Sequence, residues 1–220
     1  GEGNSLTIYG QAGQTGHLTA IGGDNCAAGI GGGQMANGSN ITINGGIVSA
    51  TGTMAAAGIG GGNRGAGSNI TINSGKVEAT GGACAAGIGG GYLGTGSNIT
   101  INGGIVTANG GGSYDDNQIQ IPAGDAIGNG SETTTAASNI LIATSLVVLA
   151  DGNEQPSTVI TNTGADLAAS LAGKQYATVG IEPSGLVDVN VNANVNKFFH
   201  NGQLIIRKEN KTFNVLGQEL

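Results

Sequence analysis

One short segment of the chain combines an aromatic ring with adjacent carboxylates, Ser113-Tyr114-Asp115-Asp116-Asn117. A tyrosine ring can stack on the face of a sugar, and neighbouring carboxylates can accept sugar hydroxyls or supply oxygen ligands to calcium. We therefore predict that Tyr114, Asp115 and Asp116 contact a ligand. No cofactor is predicted apart from a calcium ion at the two aspartates. A solvated loop without a ligand explains the same residues.

A second set of side chains follows each copy of the string GIGGG, where the copies of a repeat diverge. The divergent segments are Gln34-Met35-Ala36-Asn37, Asn63-Arg64-Gly65-Ala66 and Tyr92-Leu93-Gly94-Thr95. Loops on a repeated scaffold tolerate change and often carry function. We predict that Gln34, Arg64 and Tyr92 form one loop column, which is the second choice for a ligand site.

The residues that could act as acids, bases or nucleophiles are scattered. A lyase acting on acidic polysaccharides needs an acidic calcium site beside a basic residue that acts on the sugar. Arg64, Lys76 and Glu78 each stand alone in their column of equivalent repeat positions, and His17 and His200 lie far apart in the sequence. The sequence therefore predicts no catalytic residues and a protein that is not an enzyme.

The charge of the chain excludes two classes of partner. It has 220 residues and a net charge of −7, from 14 acidic and 7 basic side chains. Nucleic acids and anionic membranes both require a basic patch. No apolar run approaches the roughly 18 residues that a transmembrane helix needs. Neither a nucleic-acid partner nor a membrane-spanning segment is predicted.

A 29-residue repeat must position the candidate residues. AAGIGGG occupies 27–33, 56–62 and 85–91, and GSNITIN occupies 38–44, 67–73 and 96–102. A third block, such as GIVSATG, ends each copy. Degenerate copies, which keep only part of the repeat sequence, flank the array at both ends. The last interval, from Ser97 to Ser138, spans 41 residues, which is 12 more than the period. We expect the extra residues to leave the repeat as loops.

Apolar residues alternate within these blocks, as they do in strands with one buried face. Ile41 and Ile43 flank Thr42, and in the third block Val77 and Ala79 should face inward. Three short strands per repeat predict one coil of a three-sided solenoid. The Thr-Ile and glycine segments are poor helix formers, and the apolar spacing of two disfavours a helical solenoid.

The predicted fold class is therefore all-β, a right-handed single-stranded parallel β-helix of about five coils with a small C-terminal antiparallel region. Equivalent residues of successive coils should stack. The expected buried column is Ile41, Ile70, Ile99 and Ile140. The side-chain amides of Asn44, Asn73 and Asn102 should form a hydrogen-bonded ladder beside it.

The repeat fades after about Ala150, which predicts a β-helix domain at 1–150 and a C-terminal region at 151–220. A segment with a short helix at 166–171 should close the last coil. The alternation over 187–195 predicts a strand, and Asn201-Gly202 predicts a hairpin turn. Further strands are expected at 204–206 and 213–216.

The repeat GIGGG…GSNITINGGIV resembles the glycine-rich repeats of bacterial cell-surface proteins over about residues 30–140. The architecture is similar to the right-handed β-helix of pectate lyases and related carbohydrate-binding proteins. The tail NGQLIIRKENKTFNVLGQEL resembles the C-terminal ends of Bacteroidetes secreted or surface proteins. These resemblances imply an exported bacterial protein, outside the cell or on its surface, with a glycan or a host-surface protein as partner.

Two functions remain open at this stage. The first is a non-catalytic cell-surface or secreted protein, an adhesin or glycan-binding module. The alternative is a degenerate or active polysaccharide lyase or hydrolase built on the same fold.

Cys26 and Cys84 are predicted to be free thiols, although export would invite a disulfide. They are 58 residues apart, which is two periods, with Ala55 in the same column between them. Two coil steps separate their Cα atoms by about 9.6 Å, beyond the roughly 7 Å that a disulfide bridges. Alkylation of the denatured protein without reductant should modify both, as read by mass spectrometry. An intact bridge between them would show that the register is wrong.

Overall fold

The computed structural model describes residues 5–11, 13, 15–114, 120–152 and 155–180, with 189–192, 195–200, 203–208 and 211–214. Residues 113, 114 and 120 and the four segments beyond 180 are described by their backbone alone. The chain divides into two compact units, Gly1–Gly180 and Ile181–Leu220.

The first unit consists of short strands and one short helix. In chain order they are β1 (Leu6–Ile8), β2 (His17–Ile21), β3 (Ile30–Gly31), β4 (Gly38–Ile43), β5 (Ile47–Thr51), β6 (Ile59–Gly60), β7 (Gly67–Ile72), β8 (Lys76–Ala83), β9 (Ile88–Gly89), β10 (Gly96–Ile101), β11 (Ile105–Gly111), β12 (Ser113–Tyr114), β13 (Gln120–Ile121), β14 (Ile127–Gly128), β15 (Ser138–Ile142), β16 (Val148–Asp151), α1 (Ala168–Leu171) and β17 (Tyr176–Val179).

All of these strands except β12 and β13, which pair with each other, stack into three sheets, one for each block of the repeat, and form a parallel β-solenoid. The first sheet has the order β1-β4-β7-β10-β15, the second β16-β17-β11-β8-β5-β2 and the third β14-β9-β6-β3. Ile41 pairs with Ile70 and Ile70 with Ile99, so one repeat makes one turn. Three turns keep the 29-residue register, and the flanking copies are less regular. The stack therefore has fewer full turns than the five expected.

Columns of aliphatic side chains fill the interior of the β-solenoid. The predicted isoleucine column is present, with no member more than 2% exposed, and consists of Ile41, Ile70, Ile99 and Ile140. Leu6 pairs with Ile41 at the start of the column but is 44% exposed, because no described turn covers its outer side. Val77 and Ala79 face inward, as predicted. Burying one such isoleucine contributes about 1.5–3 kcal/mol, so each turn is stabilised mainly by its neighbours.

Two ladders of asparagine side chains run along the first sheet. In the predicted ladder, Asn73 Nδ2 donates to Asn44 Oδ1 at 2.7 Å and Asn102 Nδ2 donates to Asn73 Oδ1 at 2.8 Å. The second ladder was not predicted, and consists of Asn40, Asn69, Asn98 and Asn139. Its members have φ between +51° and +58°, a left-handed conformation that asparagine adopts more readily than most residues.

The glycines of the third sheet bring neighbouring turns closer than side chains would allow. The second glycine of each GIGGG string has φ between +134° and +143°, as does its degenerate equivalent. A Cβ atom on Gly60 would lie 2.0 Å from the carbonyl oxygen of Gly89 in the next turn. Only glycine combines this conformation with this approach, which explains why the string recurs.

Cys26 and Cys84 are both buried and no disulfide joins them. Equivalent hydrogen bonds confirm that Ala55 shares their column. The carbonyl oxygens of Cys26, Ala55 and Cys84 accept from the backbone N–H groups of Asn63, Tyr92 and Ser131, respectively. The predicted register therefore holds at this corner of the repeat.

The segment after the last repeat closes the C-terminal end of the β-solenoid. β17 lies antiparallel between β11 and β16, with Val179 opposite both Val106 and Val148. Leu167 and Leu171, around α1, are buried in the same core. The first compact unit consequently ends at Gly180 rather than at the boundary after 150 expected from the fading of the repeat.

Two aspartates attach this closing segment to the last turn. Asp166 accepts backbone hydrogen bonds from Asn139 at 2.7 Å, Ile140 at 2.8 Å and Ala168 at 2.9 Å. Burial opposes ionisation of Asp166, but these three donors outweigh it and hold its pKa below the ordinary value. The buried Asp125 accepts from Gly173 at 2.7 Å, and burial raises its pKa despite this bond.

The second unit is a four-stranded antiparallel sheet of β18 (Val189–Asn192), β19 (Val195–His200), β20 (Gln203–Lys208) and β21 (Lys211–Asn214), in that order. Asn192 lies opposite Val195, so the single strand expected over 187–195 is divided between β18 and β19. His200 lies opposite Gln203, as the predicted hairpin at Asn201-Gly202 requires.

Gly62→Ala should destabilise the β-solenoid, whereas Gly33→Ala should not. Both glycines end a GIGGG string, but a Cβ on Gly62 would lie 1.9 Å from the Gly33 carbonyl oxygen, whereas one on Gly33 meets nothing within 4 Å. Overpacking of this kind lowers the free energy of unfolding by about 1–3 kcal/mol. Chemical denaturation of both variants measures the difference, and equal losses would contradict the stacking argument.

Asp166→Asn should destabilise the first unit at neutral pH and much less in acid. Because the folded-state pKa of Asp166 lies below the ordinary value of an aspartate, its stabilisation is fully present above that ordinary value and is lost as pH falls through the folded-state pKa. Loss of the charge-assisted bonds lowers the free energy of unfolding by about 1 kcal/mol at pH 7, because solvent screens the exposed Asp166 carboxylate. Denaturation from pH 7 to pH 2 measures it, with Asp24→Asn, at an exposed aspartate, as control.

Candidate functional site

The first candidate segment lies in an excursion between β11 and β14. Within it, β12 and β13 pair in antiparallel orientation. Ile88 pairs with Ile127 and Ser97 with Ser138, so ten of the twelve extra residues precede β14 and two follow it. The side chain of Tyr114, and Asp115 and Asp116 entirely, lie outside the described residues. Their contact with a ligand or with calcium stays a prediction.

The loops that follow the GIGGG strings stack in two columns rather than one. The left-handed column has φ between +58° and +62° and consists of Met35, Arg64, Leu93 and Glu132. Its neighbour consists of Gln34, Asn63, Tyr92 and Ser131, and the N–H groups of Met35, Arg64 and Leu93 donate to the last three of these. The 29-residue register places Asn63 beside Gln34. Arg64 is therefore one position away from the column in which it was expected.

A polar groove of about 350 Å³ lies beside the left-handed column. We call it the edge groove, and its lining includes Arg64, Leu93, Glu132 and the segment 133–135. That segment belongs to the loop in which the last turn has two residues more than the others. Asn129 Nδ2 donates to the Thr135 carbonyl oxygen at 2.8 Å and holds the loop in place. The edge groove therefore exists because one copy of the repeat departs from the rest.

Tyr92 and Glu132 are coupled at the rim of the edge groove. The Tyr92 hydroxyl donates a short hydrogen bond to Glu132 Oε2, and this bond is the main reason why the pKa of Tyr92 is raised. The tyrosine is thus held protonated and its ring is fixed. Arg64 is exposed and forms no ion pair or side-chain hydrogen bond with the part of the chain that the structure describes. Its guanidinium is available to a ligand.

The edge groove offers several hydrogen-bonding groups. Its described lining contains a single carboxylate, Glu132, whereas glycoside hydrolysis ordinarily uses two. Within the described ranges, no three His, Cys, Asp or Glu residues are grouped so as to hold a metal ion. A guanidinium, a carboxylate, threonine hydroxyls and the apolar Leu93 side chain suit the recognition of a small polyhydroxylated ligand.

A family model described as a beta helix repeat matches residues 16–34, 41–63, 70–92 and 99–131. The chain is a β-helix repeat protein. The four matched segments of this β-helix repeat protein end at residues 34, 63, 92 and 131. Each end lies directly before a member of the left-handed column. Comparison with curated proteins and with solved structures gives no match. The repeat therefore accounts for the scaffold, but the match ends before Glu132 and the segment 133–135, which line the edge groove.

Sequence reasoning named Arg64 and Tyr92 but missed Glu132. The twelve extra residues hide its register, although aligning Ile127-Gly128-Asn129-Gly130-Ser131-Glu132 with Ile59-Gly60-Gly61-Gly62-Asn63-Arg64 places Glu132 in the Arg64 position. No helix among the described residues of this β-helix repeat protein is long and apolar enough to cross a membrane.

Proposed function

We propose that the chain is a non-catalytic bacterial surface or secreted protein that binds a glycan in the edge groove. The observation that carries the proposal is the Arg64 guanidinium, without a partner among the described residues, in a groove whose acid, Glu132, is fixed by Tyr92. The β-helix repeat fits a protein that acts at a surface or on carbohydrate. Export and a bacterial source follow from the resemblances in the sequence.

The chemistry of the edge groove matches a sugar in three respects. Arg64 donates to hydroxyl or carboxylate oxygens, and the second carboxylate oxygen of Glu132 accepts from hydroxyls. The threonines of 133–135 offer both donors and acceptors. Leu93, which is 37% exposed, provides an apolar surface for the C–H face of a ring. Its volume of about 350 Å³ lies in the range of small-ligand sites, from about 300 Å³ upward.

A host protein is a weaker candidate for the edge groove. A stable protein interface buries about 800 Å² on each partner, which a cleft for one or two sugars does not offer. The alternative of a polysaccharide hydrolase lacks support in this groove, because Glu132 has no second carboxylate beside it in the described lining. A lyase would need several acidic groups to hold calcium next to its base, and the described lining offers one carboxylate.

A glycan array followed by calorimetric titration tests the proposal. Arg64→Ala should weaken binding of the selected glycan at least about tenfold, because a charge-assisted hydrogen bond is lost. Asp24→Ala, at an exposed residue that lines neither this groove nor the outer face of the second sheet, is the control and should bind like the parent. The bound glycan should remain intact when its reducing ends and unsaturated products are assayed.

Two results would count against this function. Turnover of the bound glycan would overturn the non-catalytic assignment. Binding by Arg64→Ala with the affinity of the parent would remove the edge groove as the site.

A further inference from the structure

The outer face of the second sheet contains a separate groove of about 470 Å³, which we call the face groove. Thr80, Asn109 and Tyr176 form a row across it, because Thr80 pairs with Asn109 and Asn109 pairs with Tyr176. All three side chains are half-buried on outward-facing positions of β8, β11 and β17. The groove therefore exists only because β17 lies beside β11.

A break in strand pairing deepens the face groove next to this row. The register between β11 and β8 shifts between Asn109 and Gly111, as at a β-bulge. The floor is glycine over 110–112, so no side chain fills the space. Gln175 Nε2 donates to the Gly110 carbonyl oxygen at 2.9 Å and fixes this amide at the rim.

We propose that the face groove is a second glycan subsite, which takes a neutral sugar residue stacked on the ring of Tyr176. This inference rests on the proposed function and extends it to a different face of the protein. The ring supplies the aromatic surface, and the glycine floor leaves room for a sugar beside it. The surrounding amides and hydroxyls supply the polar contacts.

Four residues of the face groove, Thr80, Thr107, Asn109 and Gln175, offer hydrogen-bonding groups to a ligand. The Asn109 amide and the Thr80 and Thr107 hydroxyls form no hydrogen bond with other described residues. The Oε1 atom of Gln175 is likewise left to accept, because the bond to Gly110 uses the amide nitrogen. Donors and acceptors are thus both present, as a sugar with several hydroxyl groups requires.

The absence of charge in the described lining of the face groove selects a neutral ligand. Two acids lie near the groove without lining it, namely Glu78, opposite the lining residue Thr107, and Asp151, opposite Tyr176 on β16. Asp151 lies in the same row as Tyr176. Its carboxylate is occupied by Gly152 N–H and the Thr158 hydroxyl. The edge groove, with Arg64 and Glu132, differs in this respect, so the two grooves should prefer different sugars.

The face groove also borders the excursion predicted from the sequence. Gly112, part of the glycine floor, directly precedes β12, which carries Tyr114. The first-choice segment of the sequence analysis therefore begins at the wall of the face groove.

Titration with neutral tetrasaccharides of glucose, mannose and xylose tests this subsite in the full-length protein. Tyr176→Ala should weaken binding of the best neutral probe about tenfold, because the stacking surface is lost. Tyr176→Phe keeps the ring and should remain within about threefold of the parent. Tyr9→Ala, at a tyrosine that is 75% exposed on the first turn, is the matched control and should bind normally. Melting curves identify any variant that fails to fold.

Each outcome separates this inference from the proposed function. If Tyr176→Ala binds the neutral probe like the parent while Arg64→Ala loses glycan binding, the face-groove subsite is wrong and the proposed function stands. If Tyr176→Phe is as weak as Tyr176→Ala, stacking on the ring is wrong. If the parent binds no saccharide, neutral or acidic, both proposals are overturned.

Discussion

Hydrogen bonding of each turn to the next, at a spacing of about 4.8 Å, is the constraint on which the rest of this structure depends. In the third sheet the backbones approach so closely that a single added carbon on Gly60 would lie 2.0 Å from the next carbonyl oxygen. Inward positions must meanwhile repeat the same aliphatic volume, as Ile41, Ile70 and Ile99 do. Stacking thus determines which positions must be glycine and which must be aliphatic. Sequence differences between the turns are therefore confined to the edges and outer faces of the β-solenoid.

Both grooves lie where the sequence or the strand direction departs from the repeat. The edge groove arises where the last turn has two additional residues and the family match stops. The face groove arises where β17 runs against the direction of the parallel strands and brings Tyr176 next to Asn109. In both places a departure from the repeat coincides with a groove. The rigid turns on either side hold the lining side chains in place.

Periodicity made much of the fold predictable. The isoleucine column, the Asn44 ladder and the column of Cys26, Ala55 and Cys84 follow from counting by 29, because stacking equates residues one period apart. The Asn40 ladder did not follow, since it depends on a left-handed backbone conformation that the residue type permits but does not dictate.

The candidate site was predictable only in part. Arg64 and Tyr92 were found by their divergence, but Glu132 was hidden by the extra residues of the last turn. Tyr176 gave no signal at all, because its place beside Asn109 depends on pairing between segments 67 residues apart in the chain. This pairing depends on how the closing segment folds back onto the sheet, and neither the composition nor the local sequence pattern predicts it.

The identical pairing of successive copies gives the middle of the chain translational symmetry. Excision of one 29-residue unit would join two equivalent positions, and each remaining turn would meet a neighbour of the same kind. A gene with this property can gain or lose whole units by recombination between its copies without disturbing the closing segment. The number of turns, and with it the length of the β-solenoid, can therefore change during evolution in steps of one repeat.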